Sequence, residues 1–305
     1  MSITHEPTQE PQPIIVGVDG HEPSRVALDW AIDEASRRGL PLELVNARPI
    51  YPRDPTAAYA GPEVNDAHSL ELLRAAADRA QALAPGVAVA TRAERGAAAD
   101  VLVDSSPRAA LVVVGARGHG AVRSAFLGST SIQVAAHARC PVAVVRALPQ
   151  ARPERPGVVV GVDGSDVSKE AVGVAFAEAD ERQLPLTVVH SWFMPYEGRS
   201  VVAFDSEELR RQIAEEEHVV AAESIAGWSE KYPDVRVRQH VLHDHPVAAL
   251  VDHSLGAELL VVGCRGRGGF GGMMLGSVSQ GVLHHAQCPV IVVHASTDEL
   301  AADDD

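Results

Sequence analysis

The sequence predicts an α/β protein of two tandem domains, each a doubly wound five-stranded parallel sheet, and three observations carry that prediction. First, GARGHGAVRSAFLGSTS at 115–131 and GCRGRGGFGGMMLGSVS at 263–279 share one spacing: Gly, two residues, Gly, nine residues, then Gly-Ser-x-Ser. Gly115, Gly118, Gly128, Ser129 and Ser131 recur 148 positions on as Gly263, Gly266, Gly276, Ser277 and Ser279. Second, the flanking segments repeat. IIVGVDG (14–20) returns as VVVGVDG (158–164) and LPLELVNAR (40–48) as LPLTVVHSW (184–192), both at an interval of 144. RCPVAVV (139–145) returns as QCPVIVV (287–293) at 148. Third, short apolar runs alternate with amphipathic stretches, the pattern of strands joined by crossover helices. A period near half the chain means two homologous domains, because a solenoid would repeat every 20–50 residues or so. We place them at 1–149 and 150–305.

The elements of the first copy follow in order. IIVGVD (14–19) is an apolar run ending at Asp-Gly, and SRVALDWAIDEASRRG (24–39) is amphipathic and stops at a glycine, so strand then helix is expected. LELVNA (42–47) is the second strand; a Pro- and Ala-rich loop (49–62) leads to the helix EVNDAHSLELLRAAADRAQAL (63–83). VAVATRAE (87–94) alternates with period two as a third strand, and AAADVLVDSS (97–106) is a short helix. LVVVGA (111–116) is an unbroken apolar run, the sign of a strand buried on both faces. STSIQVAAHA (129–138) is helical, PVAVVRA (141–147) is the fifth strand, and the Pro- and charge-rich ALPQARPERPG (147–157) is the linker. The second copy repeats this order. The change of interval from 144 to 148 is an insertion, placed where LAPGVAV (83–89) becomes GWSEKYPDVRV (227–237), a helix-to-strand connection that tolerates length.

Composition narrows the class of function. With 26 Lys+Arg against 41 Asp+Glu the formal net charge is −15, which argues against nucleic acid or an anionic membrane surface as partner. The start, MSITHEPTQEPQP, lacks the apolar core of a signal peptide, and no apolar run approaches the roughly 20 residues of a membrane span. Three cysteines in a chain this long build no disulfide framework, so a cytoplasmic location is expected.

The repeated loop carries the chemistry. Its glycines come directly off the fourth strand, at the carboxyl edge where open α/β sheets bind ligands, and Gly128-Ser129 opens the next helix. A helix N-terminus offers unpaired N–H groups and partial positive charge, so a phosphate settles there. Gly115 and Gly118 let backbone approach a ligand without a Cβ in the way, and Ser129 and Ser131 have hydroxyls to offer phosphate oxygens. Asp19 and Asp163 lie on the same sheet edge, where a carboxylate can accept bonds from ribose hydroxyls or an adenine amino group. Two better-known phosphate motifs are excluded. Neither loop has the Lys of GxxxxGK[ST]. Gly266, Gly268 and Gly271 spell GxGxxG, but after a fourth strand instead of a first, with no acidic residue about 20 positions on.

In these features the chain resembles the universal stress protein family in its tandem form. The VGVDG start, the G-x2-G-x9-G-[ST] loop and the CPV strand appear in order in both halves, and the resemblance spans nearly the whole chain. It implies a Rossmann-like, adenine nucleotide α-hydrolase-like fold and one ATP site per domain, with magnesium. Carried across residue by residue, it assigns Asp19, Val45, Gly115, Arg117, Gly118, Gly128, Ser129, Thr130 and Ser131 to the first site. The second site receives Asp163, Val189, Gly263, Arg265, Gly266, Gly276, Ser277, Val278 and Ser279. It further implies that the fifth strands, last in their domains and without a following crossover, pair antiparallel as an intrachain pseudo-dimer, leaving homodimerisation to other faces.

The remaining features read more plainly. Ser129 and Ser277 also suit helix N-caps, and Asp19 and Asp163 suit Asp-Gly turns. Cys140 and Cys288 precede Pro as small buried hydrophobes, and His243, His245 and His253 have no counterparts in the first half and no Cys, so no metal site is assigned. The tail DELAADDD (298–305) is a solubilising end. Neither loop contains Asp or Glu, so a nucleotide-binding regulatory protein is expected over the alternative, a slow ATP hydrolase or nucleotidyl-transfer enzyme using the same sites.

Overall fold

The computed structural model describes residues 11–48, 62–116, 127–146, 157–193, 207–266 and 275–295. In the first half β1 (Ile14–Gly17), α1 (Glu22–Arg38), β2 (Leu42–Arg48), α2 (Pro62–Leu83), β3 (Val89–Arg95), α3 (Ala98–Ser105), β4 (Leu111–Gly115), α4 (Ser129–His137) and β5 (Val142–Val145) follow in order. The second half runs β6 (Val158–Val162), α5 (Asp166–Glu181), β7 (Leu186–Trp192), α6 (Glu207–Ser224), α7 (Trp228–Lys231), β8 (Val237–His243), α8 (Pro246–Ser254), β9 (Leu259–Gly263), α9 (Ser277–His285) and β10 (Val290–Val293). The linker positions 147–156, most of the 49–62 loop and the acidic tail lie outside the described residues. Among the described residues no helix is long and apolar enough to cross a membrane.

The ten strands of the described residues join one sheet in the order β3-β2-β1-β4-β5-β10-β9-β6-β7-β8. Every pairing inside a half is parallel, as the strand–helix alternation predicts. The seam alone is antiparallel, with Val142 opposite Val292 and Val144 opposite Val290. Each fifth strand is therefore an edge that the other half covers, which removes two rows of unpaired backbone groups from the surface.

The central strands are apolar on both faces because helices cover both. Ile14 and Val16 pack with α1 and α2 while Ile15 between them packs with α3 and α4, the period-two alternation of a strand. On α1 the buried positions Ala27, Leu28, Ala31, Ile32 and Ala35 recur at helical spacing, and Gly39 ends the helix at φ 63°, with open space around it. The insertion forms α7. Its Trp228 stacks on Phe176 of α5 at 6.2 Å between ring centroids, and leaves so little room over α5 that a Cβ at Gly173 would lie 2.5 Å from the indole.

On the α1/α5 face the halves meet through buried ions. Glu34 of α1 and Glu178 of α5 are 0 % and 2 % exposed, at equivalent positions of the repeat. Arg38 bridges to Glu34 at 2.5 Å and also reaches Glu178 across the seam; Arg182 bridges to Glu34 at 2.6 Å and also holds Glu178. On the other face the Arg146 guanidinium donates to the Leu283 carbonyl, and the His294 ring lies 2.9 Å from the Ala135 carbonyl.

Cys140 and Cys288 are buried, as expected. Burial pushes both thiols up to about 12, which leaves them protonated and unreactive near neutral pH. The three singled-out histidines do not converge. His243 stacks on Trp192 with 4.1 Å between centroids, His245 sits beside Phe193, and His253 bonds its Nε2 to Nδ1 of His240 at 3.0 Å.

Candidate functional site

In each half the strand order reverses between the first strand and its fourth-strand neighbour, β1/β4 and β6/β9. The loops leaving those carboxyl ends must diverge to opposite faces, and the crevice so opened is where α/β sheets take ligands. Asp19 and Asp163 follow the first strands directly. Gly115 and Gly263 end the fourth, so the two conserved segments of each repeat meet at one place.

In each aspartate Oδ1 is held by the turn that follows. Asp19 Oδ1 accepts the His21 N–H at 2.9 Å. Asp163 Oδ1 accepts both the Ser165 N–H at 3.0 Å and the Ser165 hydroxyl at 2.6 Å. These are the turn contacts expected of Asp before Gly. In the second half Oδ2 faces Gly266 so closely that a Cβ there would lie 2.2 Å from it. The glycine of the loop and the carboxylate of the first strand thus share one cradle. Gly115 is crowded differently, since its Cβ would meet the Pro23 carbonyl oxygen, a backbone atom, at 2.5 Å.

Helices α4 and α9 begin at the crevice, and the structure corrects the expected cap. The N-cap residues are Gly128 and Gly276, neither of which offers a side-chain bond, while Ser129 and Ser277 are the first helical residues. Among the described residues the N-cap positions of both helices therefore supply no side-chain cap, and an uncapped helix start attracts an anion. A second correction concerns Ser131 and Ser279. These residues are 2 % and 4 % exposed, and their hydroxyls donate to the Gly115 and Gly263 carbonyls at 2.6 Å. They lock the helix start onto the strand end instead of presenting a hydroxyl proton to a ligand. Gly128 and Gly276 close the same loops with N–H bonds to the Ala116 and Cys264 carbonyls, at 2.9 and 2.7 Å.

Other assigned residues contribute only backbone or lie elsewhere. Val45 and Val189 are each 1 % exposed, with side chains in the core, and the Val45 carbonyl already accepts the Val18 N–H at 2.9 Å. Val278 packs against that same core, whereas Ser129 and Ser277 are exposed. Arg265 is half-buried beside Gly276, whose Cβ would lie 3.4 Å from the Arg265 Cα. Arg117 and Gly118 lie outside the described residues.

Sequence reasoning missed one layer of the site. Asn46 and His190, equivalent positions in β2 and β7, bond the carbonyls of Val18 and Val162, each the residue before a site aspartate. A polar residue inside an apolar strand, repeated in LELVNAR and LTVVHSW, was the available signal.

Two parallel α/β units, each with a strand-end cradle at its switch point and joined through antiparallel edges, define a tandem α/β protein with one candidate site per half. The chain belongs to the universal stress protein family, whose profile matches residues 11–146 and again 156–294. It is 37 % identical over 299 residues to a universal stress protein of Mycobacterium tuberculosis, an alignment covering 93 % of this chain and 97 % of that one. A relative from Mycolicibacterium smegmatis is 37 % identical over 291 residues, covering 92 % and 96 %. In fold the chain is similar to the crystal structure of a universal stress protein from Archaeoglobus fulgidus, at TM-score 0.66 and 20 % identity, covering 93 % of this chain and 98 % of that one.

Proposed function

We propose that each half binds one adenine nucleotide, ATP with magnesium, at the switch-point crevice, and that the protein acts as a nucleotide-dependent regulator in the cytoplasm instead of an enzyme. The observation that carries this reading is the convergence, at one strand edge, of the Asp163 carboxylate, Gly266 and the uncapped start of α9. A Cβ would fill that cradle, and a phosphate chain beside it would meet helix N–H groups that, among the described residues, the N-cap position leaves without a side-chain acceptor. The Asp163 carboxylate facing Gly266 suits hydroxyl or amino donors of a nucleoside. Charge supports the division of labour, since an anion belongs at the helix start and a neutral sugar or base at the carboxylate. Bound ATP supplies the phosphate charge, with magnesium to neutralise part of it. The chain's own groups bind and orient. Ser131 and Ser279 keep the helix starts in register with β4 and β9, and the Asp turns hold the carboxylates in place.

Calorimetry on the full chain, stripped of any co-purified nucleotide and titrated with ATP and magnesium, is expected to report two sites per chain; one or none counts against the reading. Asp19→Ala and Asp163→Ala are each expected to weaken their own site by about 1.5–3 kcal/mol, the range for a hydrogen bond to a charged group. That corresponds to roughly 10- to 150-fold in dissociation constant. Turnover near the roughly 1–100 s⁻¹ of kinases, abolished by the two replacements together, would establish the enzyme instead.

A further inference from the structure

We infer that His190 is a positioning residue for Asp163, and that Asn46 does the same for Asp19, each by pinning the peptide that carries the site aspartate; this rests on the nucleotide reading above. The peptide unit between Val162 and Asp163 is planar, so fixing its oxygen and its nitrogen fixes the plane from which the Asp163 side chain departs. Both ends are held. The Val162 carbonyl accepts from His190 Nδ1 at 2.7 Å, and the Asp163 N–H reaches the Ser168 hydroxyl at 3.5 Å. In the first half the Val18 carbonyl accepts from the Asn46 amide at 2.7 Å, and the Asp19 N–H donates to the Ser24 hydroxyl at 3.2 Å.

Each clamp is braced from behind by the helix that follows its strand. His190 Nε2 lies 2.5 Å from Glu217 on α6, and the Asn46 side-chain oxygen accepts the Ser69 hydroxyl of α2 at 2.7 Å. His190, Asn46 and Ser69 are 3 %, 7 % and 1 % exposed, so water has little access to the bonds that hold the two carbonyls. The two halves thus reach one carbonyl with different chemistry, an imidazole in one and a carboxamide in the other. A carbonyl needs only a donor, and because Val162 O only accepts, Nδ1 carries a hydrogen in this arrangement. What the halves share is the atom being held, the carbonyl oxygen of the peptide unit that leads into the site aspartate.

The test is a cycle of variants read at the second site of the full chain, with Asp19→Ala weakening the first. His190→Leu removes the donor, and is expected to lower ATP affinity about tenfold, the scale of one buried hydrogen bond. His190→Asn, which imports the first half's donor, is expected to restore affinity to within about threefold, half a buried hydrogen bond. In an Asp163→Ala background His190→Leu should cost less than about threefold, because a residue acting through Asp163 has nothing left to position. Unchanged affinity in His190→Leu, equal losses with and without Asp163, or no rescue by Asn overturns the inference. Should His190→Leu fail to fold, Glu217→Ala, which removes the brace and keeps the ring, takes its place in the cycle with the same expectations. If the parent chain binds no ATP, the nucleotide reading itself has failed. The clamp then stands or falls on hydrogen exchange in nucleotide-free protein: the Ser165 amide, bonded to Asp163, should exchange faster in His190→Leu and as in the parent in His190→Asn. Exchange unchanged in His190→Leu overturns it.

Discussion

Gly266→Ala is expected to keep its fold and lose nucleotide at the second site, so that calorimetry reports one ATP per chain instead of two. The added Cβ would lie 2.2 Å from Asp163 Oδ2, a distance no carbon–oxygen contact tolerates. The atom in the way is the end of a side chain, so relief is local: the carboxylate rotates and gives up its bonds to the Ser165 amide and hydroxyl. Losing those two contacts costs about 1–3 kcal/mol, which a domain of this size survives. The ligand loses more, since the methyl occupies the cradle and the displaced carboxylate no longer faces it. Gly115→Ala makes the contrast. There the collision is with the Pro23 carbonyl at 2.5 Å, a backbone atom that cannot rotate away, so that variant should lose stability as well as binding. Two full sites measured in Gly266→Ala would show that the cradle is not where the nucleotide lies.

Arg182→Met is expected to lower the unfolding free energy by about 3–5 kcal/mol, because it leaves two buried carboxylates facing one another with one cation fewer. Arg182 is 4 % exposed and holds Glu34 and Glu178, themselves 0 % and 2 % exposed, in a core that spans both halves. Its own guanidinium is pushed below the ordinary range by burial, which Glu34 opposes. The Arg182–Glu34 pair crosses from one half to the other, so the loss falls on their docking as well as on α5 itself. Chemical denaturation should therefore show not only a lower midpoint but two separable transitions in place of a shared one. Arg38→Met, at the equivalent but 19 % exposed position, should cost less, since a partly solvated cation contributes less to the network. A loss under about 1 kcal/mol for Arg182→Met would mean that the network is solvated in the working protein.

The chain by itself determined the architecture of this protein. Doubling of the glycine loop, the Asp-Gly strand ends and the CPV strands set two copies of one unit, and the 144-to-148 change of interval located the insertion that became α7. Repeat spacing and apolar alternation are local signals, and each strand and helix depends first on its own residues, which is why these features were legible. A fifth strand with no crossover after it reads as an edge, and the antiparallel pairing of the two edges that the family resemblance implied is the one the structure has. Tertiary structure alone decided which atoms are free to act. Ser131 and Ser279 looked like phosphate donors, yet the fold brings a strand-end carbonyl within 2.6 Å that accepts their hydroxyl hydrogen bonds. Gly128 and Gly276 instead of the serines cap the helices, because the chain enters the first turn one residue earlier than the Ser-based pattern suggests. Asn46 and His190 share one duty through unlike side chains, and Glu34 meets Arg182 across nearly half the chain's length. A hydrogen bond or ion pair depends on where two distant groups end up relative to one another, and only the packing of helices on a finished sheet sets that distance.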